Sequence, residues 1–108
     1  MGKYQIKSTS NSQYRWTLKA NNNETLLTSE TYVSKQGCMA GIASSKAHLS
    51  DHHFDKKTAT NGSPYFNQRA NNNEVLGTSE MYSSTAARDN GIKAVQSTAP
   101  SATIEDLT

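Results

Sequence analysis

Strong core formers are scarce in this chain: Leu, Ile, Val and Phe together supply 15 of its 108 residues, and Trp occurs once. A share this low signals disorder when net charge is also high, and here the formal charge is only +2. The chain is therefore read as folded around a thin core. Cysteine is confined to Cys38, so no internal disulfide can form, which fits a reducing compartment. No run of 18 apolar residues is present, and Met1 to Gln5 carries no apolar leader. These absences point to the cytoplasm and away from a membrane. The charge is too small for a dedicated nucleic-acid binder. A length of 108 residues leaves room for one domain, 1–108, and none for a multidomain enzyme.

What the chain has in abundance is Ser, Thr and Asn, 36 residues in all, and a repeat. A shift of 50 residues aligns Tyr4–Ser50 with Phe54–Pro100 without a gap. Ala20-Asn21-Asn22-Asn23-Glu24 returns as Ala70-Asn71-Asn72-Asn73-Glu74, and Thr28-Ser29-Glu30 as Thr78-Ser79-Glu80. Leu26, Tyr32, Ser34, Gly41 and Ile42 recur as Leu76, Tyr82, Ser84, Gly91 and Ile92, while Trp16 aligns with Phe66. Such self-similarity marks a duplicated unit. The repeats are placed at 2–50 and 54–100, with a final strand at about 103–108.

Within each repeat the hydrophobic period changes once. Trp16, Leu18 and Ala20 alternate with Arg15, Thr17 and Lys19, as in a half-buried strand, and Phe66 and Ala70 alternate with Tyr65, Asn67 and Arg69. The asparagine runs tolerate the left-handed backbone of a hairpin turn, and return strands follow through Thr25–Glu30 and Val75–Glu80. Shorter strands at Tyr4–Ser8 and Phe54–Thr58 precede the hairpins. Cys38, Ile42, Ser45 and Leu49, and later Ile92, Val95 and Ala99, then fall at helical spacing. Ser34 and Ser84 are expected to cap those helices, and Pro100 to end the second. Gly41 and Gly91 lie inside helices, where glycine costs roughly 1 kcal/mol, so a close approach to the sheet over Trp16 and Phe66 is expected. The inward set is Ile6, Leu18, Leu26, Ile42, Leu49, Phe54, Phe66, Leu76, Ile92, Val95 and Ile104, leaving Leu27, Val33, Val75 and Leu107 outside.

An aromatic strand, an asparagine-rich turn followed by Glu, a Thr-Ser-Glu-x-Tyr segment and a helix carrying Gly-Ile together resemble the YegP-like family of small bacterial proteins, domains of unknown function. The resemblance covers Tyr4 to Thr108 and occurs twice. It implies an α+β fold of two tandem β-β-β-α-β repeats sharing one antiparallel sheet. Two helices would lie on one face, and the C-terminal strands would be exchanged between repeats. Phe54–Thr58 would close the first repeat while opening the second, and Ile104–Thr108 would cross back to the first. It carries over no catalytic residues and no cofactor.

Three groups of side chains invite chemistry. His48, Asp51, His52 and His53 are metal-ligand types, but adjacent His52 and His53 point apart on an extended chain and none recurs in the second repeat, so a polar linker is expected and no metal. Ser29 and Ser79 each sit beside a glutamate, yet no histidine accompanies both, and a nucleophilic serine needs a base. Glu30 and Glu80 are instead expected to favour the positive end of the following helix, and Tyr32 and Tyr82 to pack at its corner. Lastly, if Trp16 and Phe66 face the helices, Lys7, Arg15, Lys19, Lys57, Tyr65 and Arg69 share the opposite face, opposed mainly by Asp55. Such a face is either a solvated sheet surface or a binding surface. The sequence thus describes a small monomeric, non-catalytic interaction or accessory module without a cofactor. The alternative is a weak single-stranded nucleic-acid or anion binder using the basic face.

Overall fold

A computed structural model of the chain, described over residues 2–108, contains seven strands and two helices. Strands β1 (Lys3–Ser8), β2 (Tyr14–Lys19) and β3 (Thr25–Ser29) precede helix α1 (Lys35–Ala47). Strands β4 (Phe54–Thr58), β5 (Pro64–Arg69) and β6 (Val75–Thr78) precede helix α2 (Thr85–Thr98), and β7 (Thr103–Asp106) follows. All strands join one sheet in the order β4-β5-β6-β3-β2-β1-β7. The two repeats meet where Thr28 of β3 lies opposite Thr78 of β6, the same position in each.

The turn chemistry follows the asparagines. Asn23 and Asn73 hold φ of 71° and 68°, the left-handed conformation that asparagine tolerates, and close the β2–β3 and β5–β6 hairpins. Ser34 accepts the first-turn amide of Gly37 and Ser84 that of Ala87, each at 3.0 Å, so both helices are capped as the spacing predicts. Glu30 and Glu80 lie outside the first helical turns and are exposed, so the dipole role expected of them is not what the structure displays.

Both helices lie on one face of the sheet. Phe66 and Gln68 project to the same side of β5; the first meets α2 at Gly91, and the second hydrogen-bonds to Ser45 of α1. Trp16, Tyr4, Ile6, Leu18, Phe66, Cys38 and Val95 are fully enclosed in the resulting core. Tyr4 meets Trp16 edge-on at 5.2 Å, and Phe54 meets Phe66 likewise at 5.8 Å.

Four expectations change. The sheet is mixed, because β7 runs parallel to β1, pairing Tyr4 with Ile104 and Gln5 with Glu105. Side-chain alternation is the same for either direction, so residue pattern alone does not reveal this. Strand β4, expected to close the first repeat as well, sits at the sheet edge beside β5. Leu27 is fully buried, because Leu26 is the extra residue of a bulge: Leu18 faces Leu27 while the next residue, Lys19, faces Thr25. The bulge sends both leucines inward, and Leu76 is the extra residue of the matching bulge in β6. Ile104, expected inward, is 45% exposed on the outermost strand.

Candidate functional site

The face opposite the helices is uncovered by any element among the described residues, and the strand registers order its side chains into rows. The middle row crosses all seven strands as Glu105, Gln5, Thr17, Thr28, Thr78, Asn67 and Asp55. It is neutral at its centre and acidic at both ends. On one side of it Lys7 lies directly opposite Arg15, with Arg69 farther along. On the other side Lys3 lies opposite Lys19, and Lys57 opposite Tyr65.

The six residues singled out from the sequence therefore share a face but form no single patch. Lys7, Arg15 and Arg69 line one flank; Lys19, Lys57 and Tyr65 line the other. Three strand spacings separate Arg15 on β2 from Arg69 on β5, about 14 Å.

Their charges are also unequally free. Arg69 is committed: its Nε lies 3.0 Å from the Asp55 carboxylate, one terminal nitrogen donates to Asn73 Oδ1 at 3.1 Å, and the other donates to the His52 carbonyl at 2.6 Å. Lys3 sits 3.7 Å from Glu105, which also accepts a 2.6 Å hydrogen bond from Gln5 Nε2. Among the described residues, no ion pair involves Lys7, Arg15, Lys19 or Lys57. Like charges directly opposite on antiparallel strands repel, and among the described residues no carboxylate forms an ion pair with Lys7 or Arg15. Sequence parity found the cations and missed Lys3 and Glu105, the second because its place in the row depends on which sheet edge β7 joins.

The other candidates resolve into structure. Ser29 and Ser79 are buried, and each accepts a backbone amide, from Trp16 and Phe66 respectively, at 2.9 Å. Each donates its one hydroxyl proton to the carbonyl of the following glutamate, at 2.7 and 2.8 Å. Both hydroxyls are spent on the backbone. Tyr32 and Tyr82 pack at the strand–helix corners as expected, pressed against Gly41 and Gly91.

The histidines do not diverge. A 3₁₀ turn at Asp51–His53 brings the His52 and His53 rings to 4.0 Å, and His48 meets His53 edge-on at 4.8 Å. His53 is 5% exposed and donates through Nε2 to Asn71 Oδ1 at 2.7 Å. His48 donates through Nδ1 to the Ser44 carbonyl at 2.7 Å. The polar linker between the repeats is thus a packed junction, and no cluster of three or more ligand side chains is placed for a metal among the described residues. Burial, with a smaller contribution from Asp106, pushes the Cys38 thiol up to about 11, which makes it a poor nucleophile at neutral pH.

Comparison with known proteins places this arrangement. The family profile described as "Domain of unknown function (DUF1508)" matches twice, over residues 10–54 and 59–106. A UPF0339 protein of Shewanella oneidensis is 48% identical over 108 residues, covering 99% of this chain and 98% of that protein. The UPF0339 protein YegP of Escherichia coli strain K12 is 41% identical over the same coverage. The solution NMR structure of a Shewanella oneidensis UPF0339 protein superposes with a TM-score of 0.93, covering 99% of this chain and 92% of that one. The solution NMR structure of the Escherichia coli protein of unknown function yegP gives 0.94 at 41% identity, with coverage of 99% and 93%.

Proposed function

The chain belongs to the DUF1508 family, whose domain occurs twice along it, and from that premise we propose that it is a non-catalytic interaction module that contacts an acidic partner through the open face of its sheet. The observation that carries this reading is the pair Lys7 and Arg15, directly opposite each other and, among the described residues, in no ion pair with a carboxylate. An anionic group between them relieves their repulsion, a gain that a pre-paired surface cannot offer. Non-catalytic action is supported by Ser29, Ser79 and Cys38, whose reactive atoms are tied to the backbone or enclosed.

A second reading, in which the face holds single-stranded nucleic acid, is favoured by Tyr65 beside Lys57, a ring for stacking next to a cation for phosphate. Amide and side-chain NMR signals of Lys7, Arg15 and Lys19 separate the two. Shifts with a poly-glutamate peptide and none with oligothymidylate support a protein partner. Salt-dependent shifts with oligothymidylate alone support the second reading, and no shift with either at low salt removes the face from consideration.

The same proposal covers assembly. Placement of β7 beside β1 reads as exchange of a last strand between repeats, so one chain supplies what two copies of a single repeat would. We expect a cytoplasmic monomer; sedimentation showing a dimer at micromolar concentration overturns that part.

A further inference from the structure

The pseudo-symmetry of the two repeats is broken at one place. In the first repeat, the outer edge of β1 is filled by β7, which runs parallel to it with Ile104 beside Tyr4 and Asp106 beside Ile6. Helix α1 fastens that strand: Lys46 Nζ donates to the Ala102 carbonyl at 2.7 Å, and Lys35 Nζ lies 3.0 Å from Asp106. In the second repeat the strand equivalent to β1 is β4, and among the described residues its outer edge carries no strand. The position that β7 occupies in one half is open in the other.

The structure has a cleft at that position. A cavity of about 270 Å³ lies between β4 and α2, with Phe54 and Ile92 among its lining residues. These align by the 50-residue shift with Tyr4 and Ile42, which are enclosed in the first repeat, whereas Phe54 and Ile92 each keep 6% exposure. The rim has changed in charge. Where the first repeat has Ile6 and Ala43, the second has Lys56 and Lys93. Both rim carboxylates already have partners, Asp51 accepting from Gln96 Nε2 at 2.7 Å and Asp89 lying 3.3 Å from Lys56. Lys93 has no ion pair among the described residues.

The geometry points to a strand-docking seat on β4. It takes an extended segment of another protein, running parallel to β4 and bearing an apolar residue followed two positions later by an acidic one. The register comes from the filled half, which sets an apolar side chain beside position 54 and a carboxylate beside position 56, as Ile104 and Asp106 are set beside Tyr4 and Ile6. Backbone hydrogen bonds to an open strand edge supply affinity, and alternate side chains supply selection. The charge that awaits a partner at the cleft, Lys93, selects a carboxylate. The occupant is a segment of a different protein and not a second copy of this chain, because β7 is already held on its own β1 by Lys35 and Lys46. This seat lies at the edge and helix side of β4 and is independent of the open-face reading, which rests on Lys7 and Arg15.

The test uses the full chain, isotope-labelled, and a blocked synthetic peptide with the sequence of residues 101–108, the strand that fills the equivalent seat. Amide shifts are expected along β4 and at Ile92, Lys93 and Gln96, with Lys7 and Arg15 unmoved. A peptide with the Ile and Asp positions exchanged is expected to leave the spectrum unchanged. Lys93→Glu, at an exposed position that leaves the core intact, is expected to weaken the peptide about two- to fivefold, the effect of one exposed ion pair. Shifts confined to β1 and β7, no shift up to millimolar peptide, or concentration-dependent self-association through β4 without peptide would each overturn the proposal.

Discussion

The side chain of Gln68 on β5 accepts a 2.7 Å hydrogen bond from the Ser45 hydroxyl of α1, joining the sheet of the second repeat to the helix of the first. Its amide nitrogen donates to the carbonyls of Ser45 at 3.0 Å and His48 at 2.8 Å at the C-terminal end of α1, where the Ser45 carbonyl otherwise accepts only the long 3.4 Å bond from the His48 amide. With its proton given to Gln68, Ser45 accepts from the Tyr4 hydroxyl at 2.8 Å. The equivalent positions in the other half are Leu18, Val95 and Phe54, all apolar. Gln68→Leu copies the other half and strands buried partners, at an expected cost of about 1–3 kcal/mol. Ser45→Val together with Gln68→Leu is expected to cost less than the sum of the single changes. Urea unfolding of the four proteins measures the coupling, and simple additivity would count against a shared network.

A Cβ on Gly41 would fall within the Tyr32 hydroxyl and 2.7 Å from its Cζ, and one on Gly91 would meet Tyr82 in the same way. Alanine normally gains about 1 kcal/mol over glycine inside a helix. Here overpacking outweighs that gain, and Gly41→Ala and Gly91→Ala are each expected to destabilise by about 1–3 kcal/mol. Thermal unfolding checks the sign. Adding Tyr82→Phe to Gly91→Ala removes the clashing oxygen, which has no hydrogen-bond partner, and is expected to restore part of the loss.

The duplicated plan was legible because equivalent residues do equivalent work: Ser34 and Ser84 cap, Asn23 and Asn73 turn, Gly41 and Gly91 admit a tyrosine ring. The glycines were expected to signal close approach over Trp16 and Phe66; those rings lie 3.0 and 3.2 Å from the added Cβ atoms, behind the tyrosines. What escaped the sequence breaks the symmetry or the period. Leu27 is buried by a bulge that shifts parity by one, and alternation carries no mark of where an extra residue sits. Glu105 and the open edge of β4 depend on which edge β7 chooses, a tertiary decision. Among the candidate cations, parity identified the face, while the neutralisation of Arg69 by Asp55 required the register of β4 against β5.

Ser29 and Ser79 substitute for a ladder partner at the amides of Trp16 and Phe66, one residue beyond the pairs Thr17–Thr28 and Asn67–Thr78, at the end of each ladder away from its bulge. Removing either hydroxyl leaves a buried N–H without an acceptor. Ser29→Ala and Ser79→Ala are each expected to cost about 1–3 kcal/mol and to speed hydrogen exchange at the exposed amide of Trp16 or Phe66. Unchanged exchange at those amides would mean that strand or water contacts replace the serine. Neither change is expected to alter shifts at Lys7 and Arg15 on the far face.

Alkaline pH should find the weak point of the thin core. Burial pushes the Tyr4 hydroxyl from 10.0 to about 12, against a smaller lowering by its hydrogen bond to Ser45, and Tyr32 and Tyr82 are raised by burial as well. Above the ordinary tyrosine range the unfolded chain releases these protons while the folded chain holds them. Each such group therefore stabilises the fold fully below its unfolded value, and that stabilisation is lost as pH rises toward the folded value. For fully enclosed Tyr4 the window runs from 10.0 to about 12, and its share is roughly 2–3 kcal/mol. Urea midpoints are thus expected to fall steeply across that window and to change little from neutral pH up to its lower limit. Tyr4→Phe loses the Ser45 hydrogen bond, so it starts about 1 kcal/mol less stable at neutral pH. Its alkaline decline is expected to be shallower, because one proton fewer is released on unfolding. Parallel declines for the two proteins would show that Tyr4 ionises without opposing the fold.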